Sequence, residues 1–281
     1  MPQRVIINAD DLGLSPSVNS AIFAVHQAGN LTSATLMVNM PGTHDAVQRL
    51  PQYPALGVGL HFCLTEGHAV GGASSLTDAE GRFKPRPELA RAALAGRIVQ
   101  ADVRHELEAQ LARMDELGPR PTHVDSHQHV HMLPAILDAM LPVLRQRALA
   151  VRTVHPPRGA LRASLGRPRK LLKQLLNRRL AARAKARADL PTTDVLVSIH
   201  DLDHAGPYTA ETYAHLLRWA PPHAVVELMV HPYIVGPDVL DLYAADLPAK
   251  QPFLDRCRAE YEALRHAPVL PHVELITFAD L

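Results

Sequence analysis

Short runs of β-branched and apolar residues alternate with stretches whose apolar positions recur every three or four residues, almost from end to end of the chain. The runs predict strands over 4–8, 34–39, 56–64, 122–127, 150–154, 194–199, 225–230 and 272–277. Between them, Val103, Leu107, Leu111, Met114 and Leu117 form one amphipathic stripe. Ser15 followed by Pro16 offers an N-cap with proline at the first helical position, which predicts a helix running to Gln27, ahead of Gly29. Repeated βα units of this kind predict an α/β fold whose parallel sheet is closed or nearly closed. No internal repeat and no linker interrupts the alternation, so one domain is expected over 1–281.

Two segments break the rhythm. Residues 66–88, with Gly67, Gly71, Gly72, Pro85 and Pro87, predict a long irregular loop, read either as a lid or as a plain surface excursion. Over 158–188 arginines and lysines crowd together, including Lys170, Lys173, Arg178 and Arg179. Leu171, Leu172, Leu175, Leu176 and Leu180 thread through them at helical spacing. This predicts a basic amphipathic helix: a solvated face over a core stripe, or a surface for an anionic partner.

Composition narrows the rest. At 281 residues and 47% hydrophobic content the chain can bury a large core. A net charge of +1 gives no general pull toward nucleic acid or anionic membranes. Cys63 and Cys257 are far apart, which is the usage of a reduced compartment. No leader-like segment and no membrane-length apolar run is visible, so a cytoplasmic location is expected.

The chemistry concentrates at predicted strand ends. In His123-Val-Asp-Ser-His-Gln-His-Val-His131 the polar groups occupy alternate positions, so on an extended strand His123, Asp125, His127, His129 and His131 share one face. Five such groups crowded together without a cation would repel one another or lack partners. Asp10 and Asp11 close the first strand, where parallel barrels keep their active sites. A turn beginning at Asp11 would bring both carboxylates into one cleft. His61 ends the third strand, and with Asp11 and His127 it would complete a set of one carboxylate and two imidazoles with open positions. His231, held extended before Pro232, is a candidate general acid. Arg152 is placed to orient a carboxylate or contact substrate oxygen. His200, Asp201, Asp203 and His204 form a further polar cluster, either near the mouth of the site or in a simple turn.

Taken in order, Asn-Ala-Asp10-Asp11-Leu-Gly, Gly-Leu-His61-Phe, Thr-His-Val-Asp125-Ser-His127-Gln-His-Val-His and Glu-Leu-Met-Val-His231-Pro resemble the motifs of the YdjC family, the ChbG/HpnK group of metal-dependent carbohydrate deacetylases. The resemblance implies a (β/α) barrel like a distorted TIM barrel, often dimeric, that removes acetyl groups from N-acetylated amino sugars. It implies Asp11, His61 and His127 as metal ligands, Asp10 as base and His231 as acid, donating as imidazolium to the departing amine. Arg152, Asp125 and His129 are expected to touch substrate or support those groups, with His131 in a supporting place. One divalent ion is expected, zinc first for an Asp-His-His set, with magnesium, nickel, cobalt or manganese also accepted by such ligands. Leu12 stands where the family usually has Phe, and Tyr233 follows His231-Pro232 where Gly or Ala is common. Two other readings are a metal-dependent phosphoesterase of the His-rich barrel type and a non-catalytic sugar- or metal-binding barrel. One Trp and 4% aromatic residues leave few stacking platforms for a long polysaccharide, which favours a short or conjugated sugar.

Overall fold

The computed structural model of the chain describes residues 2–202 and 204–281. Its strands are β1 Arg4–Leu12, β2 Ser33–Leu36, β3 Gly57–Phe62, β4 His123–Ser126, β5 Ala150–Val151, β6 Val195–Val197, β7 Val226–Val230 and β8 Glu274–Leu275. All eight predicted strands are present, and every pairing is parallel. The sheet runs β5-β4-β3-β2-β1-β7-β6, with β8 attached to the start of β1.

The helices are α1 Pro16–Gln27, α2 Thr43–Arg49, α3 Arg86–Leu94, α4 Gln100–Leu117, α5 Pro134–Gln146, α6 Arg158–Ala163, α7 Pro168–Ala188, α8 Ala210–Leu217, α9 Pro237–Leu242 and α10 Leu247–Leu264. The start of α1 follows its sequence signal: the Ser15 hydroxyl accepts from the Val18 N–H at 3.3 Å, and Pro16 opens the first turn. On α4 the residues Val103, Leu107, Leu111 and Met114 are fully buried, as their spacing requires. One continuous core gathers β1 to β4, β7 and the inner faces of these helices.

The curl of the sheet stops short of closure. β5 and β6 are its two ends, and no ladder joins them among the described residues. Scattered contacts span the seam: the Val151 N–H donates to the Pro191 carbonyl at 3.0 Å, the Leu196 N–H to the His155 carbonyl at 2.9 Å, the Thr153 hydroxyl to the Thr193 carbonyl at 3.2 Å and the Thr192 hydroxyl to Thr153 Oγ1 at 3.2 Å. The fold is therefore a distorted, open form of the expected parallel barrel.

The basic segment is helical as expected, but its packing face is different. Leu172, Leu175 and Leu176 are exposed, whereas Gln174, Ala181 and Ala184 face inward. Small residues let α7 lie close against its neighbours, and Leu180 is only partly buried at the core edge. No helix among the described residues is long and apolar enough to cross a membrane. The 66–88 loop is pinned: Glu106 of α4 accepts from the Val70 and Gly71 N–H groups at 2.9 and 2.8 Å, and Asp102 from the Ser75 N–H at 3.0 Å.

Candidate active site

Two adjacent carboxylates reach the same cleft because the end of β1 is irregular. Its register against β2 shifts between Ala9 and Leu12, and Asp11 takes φ +67°, a left-handed conformation that Asp tolerates better than most residues. Gly13, at φ +88°, continues the turn where an added Cβ would stand 2.6 Å from the Met37 carbonyl oxygen. Asp10 and Asp11 are each only 2% exposed, yet both line the main cavity.

Asp11, His61 and His127 come from three separate strand ends and converge. Asp11 Oδ1 lies 3.2 Å from His61 Nε2 and 3.0 Å from His127 Nδ1, and one donor atom from each of the three lies within 4.8 Å of the others. The far nitrogen of His61, Nδ1, is fixed by Asp125 Oδ1 at 2.7 Å and by the Thr35 hydroxyl at 3.0 Å. A carboxylate behind an imidazole is the support that metal-binding histidines usually have. His127 Nε2 is buried with no hydrogen-bond partner. Burial opposes charge on His61, but Asp125 and Asp11 on either side raise its pKa to about 10. The pocket thus favours positive charge, and an open-sided carboxylate and imidazole set fits a divalent ion.

Behind these groups Arg152 is fully buried and gathers three carboxylates. Its Nη1 and Nη2 donate to the two oxygens of Asp10 at 2.7 and 2.6 Å, Nη1 lies 2.6 Å from Asp125 Oδ2, and Nε donates to Glu227 Oε1 at 2.6 Å. Burial works against ionised Asp10, but the guanidinium outweighs it and holds the carboxyl below its ordinary range. Glu227 fares differently: burial dominates over Arg152 and lifts it to about 7. Asp10, His61 and Asp125 also lie within 4.8 Å of one another. There, however, Arg152 already occupies the place a cation would take.

The histidine row does not form the single wall that strict alternation predicts. β4 ends at Ser126, and residues His127–Met132 turn into a 3₁₀ helix in which Gln128 and His129 have φ of +55° and +57°. The side chains therefore fan out. His123 stacks on Phe278 with ring centroids 3.7 Å apart, and burial lowers its pKa to about 3. His131 is held between the Ser126 hydroxyl at 2.6 Å and the Arg152 carbonyl at 3.1 Å. Only His127 and His129 line the cavity, and burial keeps His129 neutral.

His231 follows β7 and points its Nε2 at Asp10 Oδ2, 3.8 Å away, and at Asp11 Oδ2, 3.9 Å away. Burial lowers its pKa below the ordinary value against the pull of Asp10 and Asp11. Tyr233, the departure noted in the sequence, sends its hydroxyl back to Asp11 Oδ2 at 2.5 Å. His231 and Tyr233, two positions apart, thus both face Asp11 Oδ2. His200 and Asp201 line the cavity, His204 is exposed, and Asp203 lies outside the described residues.

Sequence reading missed Thr35, Glu227, Tyr233 as a brace and Glu260. Glu227 carried a legible signal, a charge at the centre of an apolar strand. Glu260 sits in α10 and gave none, although it is fully buried and accepts the His231 N–H at 2.6 Å. The cavity measures about 680 Å³ and is lined at its base by Asp10, Asp11, His61, His127 and His231, and toward its mouth by Arg86, Lys173 and Lys250. A space of this size suits a small ligand with a few convergent polar groups.

A carbohydrate deacetylase of Brevibacillus brevis is 44% identical over 150 residues, 53% of this chain and 58% of that protein. A chitooligosaccharide deacetylase of Yersinia pestis is 39% identical over 153 residues, 54% of this chain and 60% of that protein. The chain thus spans about three-fifths of the length of the curated relatives it matches. A crystal structure from Enterococcus faecalis V583 shares the fold, with TM-score 0.77 over 100% of this chain and 99% of that one, at 22% identity. The model of the YdjC-like protein family matches residues 4–272, and the chain belongs to that family.

Proposed function

We propose that the protein is a metal-dependent hydrolase that removes the acetyl group from an N-acetylated amino sugar or its conjugate. The observation that carries this reading is the 3.8 Å approach of Asp10 to His231 beside the Asp11, His61 and His127 group. The deacetylase names of the relatives support the same class.

Asp11, His61 and His127 would hold the ion, with zinc first and magnesium, nickel, cobalt or manganese as alternatives. The chemistry such an ion supplies is Lewis acidity, which polarises the acetamide carbonyl and eases the ionisation of water. Asp10 is the base. An ionised carboxylate offers about four acceptor positions. Arg152 fills two of them and the Asn8 amide, at 3.0 Å, a third. The remaining one is free to take a proton from the attacking water. His231 Nε2 stands beside that carboxylate, where a neutral ring can pick up a proton during turnover and pass it to the departing amine. Arg152 keeps Asp10 ionised, and Asp125 keeps His61 turned toward Asp11.

Acetate release across a panel of N-acetylated amino sugars, chitooligosaccharides and glycoconjugates tests the reading. Turnover is expected on at least one substrate, with loss after chelation. Asp10→Asn is expected to slow release by at least about 10²-fold while metal content stays the same. Undiminished turnover in that variant, or after exhaustive chelation, removes the basis of the proposal.

A further inference from the structure

A second cluster of metal-ligand side chains lies on the far side of the His231 ring. One ring nitrogen each of His200 and His231 and one carboxylate oxygen of Glu260 lie within 4.8 Å of one another. Three atoms of this cluster, His200 Nε2, His231 Nδ1 and Glu260 Oε1, are buried without a hydrogen-bond partner. Glu260 itself is fully buried. Its other oxygen, Oε2, is taken by the His231 N–H at 2.6 Å, which fixes the side chain, and the buried Tyr213 hydroxyl faces the same carboxylate.

Unpartnered polar atoms in a protein interior are costly, and three in one place point to a missing common partner. Two imidazoles and a carboxylate are the donors that zinc-like ions prefer, and three protein ligands leave a position open. The rings are also held in place. His200 stacks on Phe253 with centroids 5.5 Å apart and 19° between planes, and meets His231 edge-on at 5.0 Å. An entry path exists, because His200, His231 and Phe253 all line the main cavity. The contrast with Asp10, His61 and Asp125 is instructive: that group satisfies the same spacing but is neutralised by Arg152, whereas no Lys or Arg bonds to Glu260 among the described residues.

We propose that His200, His231 and Glu260 form a second divalent-cation site, separate from the Asp11, His61 and His127 group and joined to it through the two nitrogens of His231. The donors suit zinc. Occupancy would engage His231 through Nδ1 and leave Nε2 facing Asp10 and Asp11.

The test is a count of bound zinc on the full chain, purified without an affinity tag and stripped with chelator, by equilibrium dialysis and elemental analysis. Two equivalents per chain are expected at saturation. His200→Ala should weaken one of them by at least about 100-fold, at or beyond the loss seen when only an outer support of a ligand is removed. Glu260→Gln should do the same. His127→Ala should weaken the other equivalent and spare this one, so failure of the primary site and failure of this site give different counts. Should Glu260→Gln not fold, the partly exposed His200 still decides the matter. Zinc binding that is unchanged in both His200→Ala and Glu260→Gln, the result if water fills the gap, overturns the proposal, whether the unaltered protein holds one equivalent or two. Because the readout is binding, the reaction class remains a matter for the acetate assay.

Discussion

Arg152 is wholly removed from solvent, yet its guanidinium touches Asp10, Asp125 and Glu227. A planar fork of donors can meet three carboxylates at once, which a single ammonium cannot. With Asp10 and Asp125 ionised and Glu227 lifted to about 7, the three acids outweigh the one guanidinium near neutrality, and the raised pKa of the neighbouring His61 offsets part of the excess. Arg152→Met would leave Asp10 and Asp125 buried and uncompensated, and is expected to destabilise the fold by about 3–5 kcal/mol. Arg152→Lys should recover only a small part of that loss. Urea unfolding curves of the two variants at neutral pH would measure both. The residue's importance was partly visible in the sequence as a lone charge in an apolar strand. A bond to Asp10 was expected, but Glu227 was not, because it lies 75 positions away in the sequence.

Among the elements, β3 and β4 fix the spacing of the site. Gly59 has the His123 ring directly over it, so close that an added Cβ would stand 2.5 Å from the ring. The ring is itself trapped against Phe278 and has no room to retreat. Gly59→Ala is expected to cost about 1–3 kcal/mol by overpacking, read as a lower urea midpoint, and to displace His61 two residues on. Strand existence and the order of β1 to β8 were legible because apolar period and turn residues are local signals. The histidine row was misread because period-two reasoning holds only while the backbone stays extended, and the chain leaves β4 at Ser126. Residues Asp11, His61 and His127 were nonetheless found, since each stands at the end of a strand whose direction was predicted correctly. The inward face of α7 was misassigned: leucine spacing identified a helix but could not show that alanines, not leucines, make the close contact.

At the scale of the whole molecule, buried histidines set how stability depends on pH. Burial lowers His123 to about 3 and His131 to about 4, below the ordinary 6.5. As pH falls, the unfolded chain takes up these protons before the folded one does. Stability contributed by the neutral rings is therefore complete above about pH 6.5 and is lost progressively toward pH 4. His61 in the metal-free protein works in the opposite sense: burial opposes its charge but the flanking carboxylates prevail, so its contribution is full below 6.5 and lost as pH rises through about 10. A maximum near pH 6.5 is expected in the metal-free protein, with His131→Asn flattening the acid limb by about one proton in unfolding curves taken from pH 4 to 8.

The gap between β5 and β6 has a consequence for what the molecule can admit. Val154, Pro156 and Leu196 border both that gap and the cavity, so the wall of the binding space is thinnest where the backbone is least cross-linked. Parting the two short strands would break two amide hydrogen bonds and the Thr153 hydroxyl contacts with Thr192 and Thr193, whereas parting β1 from β7 would break a five-residue ladder. Deuterium uptake should accordingly be fastest at Val151 and Leu196 and slowest along β1. A bulky ligand would then be accommodated by the hinge-like yielding of this one side, with the Asp11, His61 and His127 group on the opposite wall of β1, β3 and β4 left undisturbed.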